Sequence, residues 1–163
     1  MRRPGVIQSA PVLDLYDELR RIVAALDAAD ISYALAGGLA VSIYTTPRAT
    51  EDIDLLIARA DHGRVVEALG PAGFRPAAGP MRVAGGRLEI QRLTKIDGAD
   101  LLPLDLLMPT DAELAALLQD RAHLAIEGRG IWVVGLGALR TLKRLRGSAL
   151  DRADLEALGP DDR

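Results

Sequence analysis

Between residues 11 and 29, Leu15, Leu19, Ile22, Val23 and Leu26 recur at intervals of three and four, with charged residues between them. That spacing predicts an amphipathic helix lying against the rest of the chain. The apolar run Ile31 to Ala36 reads as a strand closed by Gly37-Gly38, and Leu39 to Tyr44 as a short helix. Glu51 to Ala58 holds Ile53, Leu55, Leu56 and Ile57, which suits a strand covered on both faces. Asp61 to Leu69 predicts a helix with Asp61 as its N-cap. Gly85-Gly86 and Asp97-Gly98 then separate three apolar stretches, Met81–Ala84, Arg87–Ile96 and Leu101–Met108, and mark two hairpins. After Pro109 we expect a helix to about Arg121, a strand at Ile131–Val134, a helix at Leu136–Arg146 and a last helix from Asp151. The tail from Gly159 to Arg163 is expected to fray.

Strands and helices intersperse while two connections are hairpins, so the expected fold class is α+β with a mixed sheet flanked by helices. The chain of 163 residues favours one domain over 1–163, with a core at about 11–108 and a short C-terminal helical appendage at about 110–158. Only 3% of residues are aromatic, so the core must come from Leu, Val, Ile and Ala, which argues against a base-stacking platform. Tyr33 and Trp132, in apolar strands, read as core, and His62 and His123 as helix-surface residues. A net charge of −3 lacks the basic excess of a nonspecific nucleic-acid binder. The late cations Arg140, Lys143, Arg144 and Arg146 read as a solvated helix face. With no cysteine, disulfides, thiolate metal sites and thiol nucleophiles are excluded. Met1-Arg2-Arg3-Pro4 is not followed by an apolar h-region, and no run approaches the roughly 20 apolar residues that span a bilayer. A cytoplasmic location without membrane contact is the expectation.

The candidate chemistry lies between Ala34 and Ala58. Asp52 and Asp54, two apart on a strand, project to one face with Cα atoms about 6–7 Å apart. Adjacent carboxylates repel, so a cation must lie between them: an Arg, a Lys or a hard divalent metal. Asp105, inside the apolar strand Leu104-Asp105-Leu106-Leu107, is a third acid that needs a reason. Three converging acids can hold two metal ions roughly 4 Å apart, the clamp for in-line phosphoryl displacement. Gly37-Gly38 permits a sharp turn and close approach, and the following helix offers free N–H groups to phosphate.

The order Ala36-Gly37-Gly38, then residues 39 to 51, then Asp52-Ile53-Asp54-Leu55 resembles the signature of the polymerase-β-type nucleotidyltransferase superfamily. Arg48-Ala49-Thr50-Glu51-Asp52-Ile53-Asp54, with Leu142-Lys143, Gly147, Asp151, Asp154, Leu155 and Leu158, is closest to small bacterial AbiEii-like and minimal nucleotidyltransferase proteins. The resemblance implies Mg2+ (or Mn2+) on Asp52, Asp54 and Asp105, with Asp105 also a candidate base for the acceptor hydroxyl. It implies an NTP whose triphosphate lies on Gly37 and Gly38, with Lys143 reaching the phosphates and Arg48 and Thr50 steadying the nucleotide. The implied reaction moves NMP to an acceptor in RNA, protein or a small molecule. The alternative is a non-catalytic nucleotide- or partner-binding module, for example in a toxin–antitoxin pair. Ser148 and Leu150 stand where relatives carry Arg and Lys, and Gly38 lacks the serine hydroxyl common in the superfamily.

Overall fold

A computed structural model describes residues 13–160. The expectations for Met1-Arg2-Arg3-Pro4 and for the last three residues of the tail fall outside them. Helix α1 (Leu15–Ala28) begins at Asp14, whose side chain accepts a hydrogen bond from the Asp17 N–H. It buries Leu19, Ile22, Val23 and Leu26, four of the five positions in the apolar spacing, while Leu15 is partly buried against the core. Strand β1 (Tyr33–Ala36) leads directly into α2 (Gly37–Tyr44), and β2 (Ile53–Ile57) is buried at all five positions, as expected for a strand covered on both faces. Helix α3 is His62–Leu69. Asp61 precedes α3 but makes no cap bond with its side chain; it pairs instead with Arg64 at 3.0 Å.

Two short strands, β3 (Arg75–Pro76) and β4 (Met81–Val83), share one edge of β5 (Leu88–Asp97). A two-residue loop at Gly98 joins β5 to β6 (Asp100–Pro109), pairing Asp97 with Asp100. The sheet then departs from the sequence reading. The helix expected at 110–121 shrinks to α4 (Ala112–Ala115) and a 3-10 turn, and β7 (Arg121–Ile126) pairs along its length with β8 (Arg129–Val134). The physical reason is the turn. Glu127 and Gly128 both adopt positive φ, 49° and 78°, the backbone of a tight hairpin turn, so a strand and not a helix feeds β8. His123 consequently stands exposed on a strand. Helices α5 (Leu136–Arg146) and α6 (Ala149–Leu158) close the chain. Gly159 and Pro160 do not hang free of α5, because Arg140 donates to the carbonyls of Leu158 and Pro160, each at 3.0 Å.

The strand order is β3-β5-β6-β2-β1-β8-β7, with β4 beside β5. β1–β2, β5–β6 and β7–β8 are antiparallel, while β2–β6 and β1–β8 are parallel. The sheet is mixed, as expected. Tyr33 is fully buried in it, and Trp132 lies under the Arg121 guanidinium at 4.1 Å. α1 is pinned to β5 by a salt bridge between buried Glu18 and Lys95 at 2.9 Å. No helix among the described residues is long and apolar enough to cross a membrane.

Candidate active site

The registers of three strand pairs place one row of residues across the sheet. Ala36 on β1 faces Asp54 on β2, Asp54 faces Asp105 on β6, and Asp105 faces Arg92 on β5. Asp52 sits just ahead of β2 and joins the row's carboxylates. One oxygen from each of Asp52, Asp54 and Asp105 lies within 4.8 Å of the others. Asp54 and Asp105 are buried and Asp52 is half-buried.

Such a cluster is electrostatically expensive unless neutralised. Burial first, then the Asp52 and Asp105 charges, push the Asp54 carboxyl up to about 7, against partial relief from Arg146. Arg146 Nη1 lies 3.7 Å from Asp54 Oδ1, and that oxygen accepts no hydrogen bond from the described residues. A buried carboxylate oxygen without a donor, facing two further carboxylates, has the donor set of a hard divalent cation. The residues fit a metal ion of the Mg2+ or Mn2+ kind.

Arg92 was not picked out by the sequence reading. Its Nε and Nη2 donate to the two oxygens of Asp105 at 2.8 and 2.9 Å, a bidentate pair. A guanidinium is thus an immediate neighbour of the third acid. The signal was in the turn. Counting back five residues on each side of the Asp97–Asp100 pair brings Arg92 opposite Asp105.

Gly37 explains why the glycine turn belongs to this site. Its φ is +64°, and a Cβ there would come within 1.9 Å of Asp54 Oδ2. Gly37→Ala is therefore expected to cost about 1–3 kcal/mol for the backbone conformation alone. It should also displace Asp54. A lowered unfolding midpoint together with weaker Mn2+ binding checks both. Gly38 faces Arg48 and Thr50, whose side chains would crowd a Cβ at 2.8 and 3.0 Å. The N-cap of α2, Ala36, makes no side-chain cap bond, which leaves first-turn N–H groups for a ligand.

A cavity of about 500 Å³ opens over this row, a size suited to a small-molecule ligand. Gly38, Arg48, Thr50, Asp52, Asp54 and Lys143 line it, with Arg92 and Arg146. The late cations are not simply a solvated face: Arg140 and Lys143 are both 5% exposed. Lys143 Nζ lies between Asp151 Oδ1 at 3.1 Å and Asp154 Oδ2 at 2.9 Å. Reaching a phosphate would mean leaving a carboxylate. Asp154 also accepts from Arg48 at 3.0 Å, tying α6 to the loop before β2. Ser148 N-caps α6 in a capping box with Asp151. The Tyr44 hydroxyl donates to Val134 O at 2.7 Å, tying α2 to β8.

Comparison with known proteins agrees with this geometry. Residues 18–97, just under half of the chain, match the aminoglycoside-2''-adenylyltransferase family. No curated protein sequence matches the chain. Among solved structures, a candidate nucleotidyltransferase from Thermotoga maritima superposes with a TM-score of 0.61 at 12% identity, over 85% of this chain and 88% of the other. ANT(2'')-Ia in complex with adenylyl-2''-tobramycin gives 0.56 at 18% identity, over 86% and 84%. The lincomycin-bound lincosamide adenylyltransferase LnuA gives 0.56 at 16% identity, over 87% and 94%. The matched family is an adenylyltransferase family, and this chain shares the fold of these nucleotidyltransferases and of the Thermotoga candidate.

Proposed function

We propose that the protein is a metal-dependent nucleotidyltransferase that moves NMP from an NTP to an acceptor hydroxyl and releases pyrophosphate. The observation that carries the reading is the Asp52, Asp54 and Asp105 cluster, with a donor-free buried oxygen on Asp54, set directly against the Gly37 turn.

Asp52, Asp54 and Asp105 would hold the metal, which when bound supplies a Lewis acid for the phosphoryl oxygens. The first turn of α2 at Gly37 and Gly38 receives the triphosphate through its N–H groups. Arg48 and Thr50, packed on Gly38, steady the nucleotide, and Lys143 and Arg146 offset phosphate charge. The acceptor oxygen attacks the α-phosphorus, the new P–O bond forms, and the bond to pyrophosphate breaks in line. Asp105 would take the hydroxyl proton on the lone pairs that its two bonds from Arg92 leave free, with the guanidinium lowering its basicity. Most of the rate enhancement comes from positioning and charge.

The acceptor we propose is a small hydroxyl compound, by analogy with the tobramycin and lincomycin seen in the neighbours. RNA and protein acceptors are the competing classes. The proposed location is the cytoplasm, where NTP is available. The nearer likeness to AbiEii-like proteins, and with it a toxin–antitoxin setting, rests on the Arg48–Asp54 stretch and the closing-helix residues from Leu142 to Leu158. A non-catalytic module is the second reading, and the bidentate hold of Arg92 on Asp105 is what favours it.

Calorimetry with each NTP, with and without Mg2+ or Mn2+, tests the proposal. Metal-dependent binding is expected, and Asp52→Ala should weaken it by at least about tenfold, as for loss of one charged ligand. Labelled NTP with candidate acceptors then separates enzyme from module. Absence of metal-dependent nucleotide binding would sink the enzyme and the nucleotide-binding module alike, leaving a partner-binding module.

A further inference from the structure

Arg92 uses two of its five N–H donors on Asp105. The remaining edge, Nη1 and the outer hydrogen of Nη2, has no partner among the described residues, and the side chain is 59% exposed where it lines the cavity. Its place in the row matters. The glycine turn follows β1, Asp52 and Asp54 lie at the start of β2, Asp105 on β6 and Arg92 on β5, each strand about 4.8 Å from the next. Arg92 is therefore on the far side of the carboxylates from the phosphate-binding turn, where an incoming hydroxyl must approach. Pro103, two residues before Asp105, forms the wall beside it.

A guanidinium fixed by one carboxylate presents its second edge as a rigid fork, and carboxylate and phosphate oxygens match that fork. We infer that Arg92 determines acceptor specificity: its free edge binds an oxyanion, carboxylate or phosphate, carried beside the acceptor hydroxyl. The same cation disfavours a polycationic acceptor. This inference rests on the nucleotidyl-transfer reading. It says which acceptors are brought to the α-phosphorus.

The test uses the full chain loaded with Mg2+ and α,β-methylene ATP, which cannot be cleaved at the α–β bridge. Inorganic phosphate, acetate and spermidine are titrated separately into the loaded protein at constant ionic strength, with chloride as the control. Phosphate or acetate should bind, and Arg92→Gln, with nucleotide held saturating for each protein because Arg92 also supports Asp105, should weaken that binding by at least about tenfold. Which anion binds tells a phosphate-bearing acceptor from a carboxylate-bearing one. Arg92→Lys keeps a cation beside Asp105 should the Gln variant fail to fold, and losing the fork should still cost about threefold or more. Anion affinity unmoved in both variants, no anion binding to loaded wild type, or spermidine binding in place of anions overturns the inference alone. Failure of the nucleotide to bind overturns it together with the reading on which it rests.

Discussion

Asp54→Asn is expected to make the metal-free protein more stable at pH 8 while abolishing its stabilisation by Mg2+. Asp54 sits at about 7 because burial, then Asp52, disfavour its charge, against an ordinary value of 3.8. A carboxyl raised in the fold keeps its proton longer than in the unfolded chain. Native stability therefore falls as pH climbs from about 4 to about 7 and remains at the lower level above that. The span corresponds to a penalty on the order of 4 kcal/mol. Asparagine keeps the shape and removes the charge. In the presence of a chelator, the variant should exceed wild type at pH 8 by about 2–4 kcal/mol, and the gap should close by pH 4. Adding Mg2+ reverses the ranking, since a ligand bound only by the native state stabilises it in proportion to its occupancy. Urea unfolding at several pH values, with and without Mg2+, reads all of this. Parallel pH profiles for the two proteins would show that the cluster carries no such strain.

The second large effect belongs to Lys143→Met. Nζ is buried and shared between Asp151 and Asp154. Burial alone would raise the Asp151 carboxyl, but hydrogen bonds from Ser148 and Lys143 outweigh it and hold it below the usual range. Removing the lysine leaves these buried acids, among the described residues, with Ser148 and Arg48, at a cost of about 3–5 kcal/mol. Replacing both acids by Asn in the same protein should restore most of that loss, because a buried pair removed whole is nearly neutral. The triple variant then isolates the proposed phosphate contact. If Lys143 also serves the nucleotide, affinity stays weak after stability has returned. Recovery of both would assign Lys143 to fixing α6 alone.

Legibility from sequence followed the range of the interactions. Local periodicity placed α1, β1, β2, β5, β6 and α5 within a few residues, since each buries a continuous apolar face. The segment 110–126 misled, because a short apolar stretch satisfies helix and strand alike until its partner is known. Its hairpin turn at Glu127-Gly128 was the decisive cue.

The amino-acid order alone determined the acids, the glycine turn and their spacing, because chemistry at neighbouring positions of one strand needs only the alternation of the backbone. Tertiary structure decided what lies beside them. Arg92 on β5 and Arg146 on α5 border the acids, while Lys143 is claimed by α6. Counter-charges come from residues distant in the chain, and electrostatic energy depends on separations in space that only strand pairing and helix packing fix.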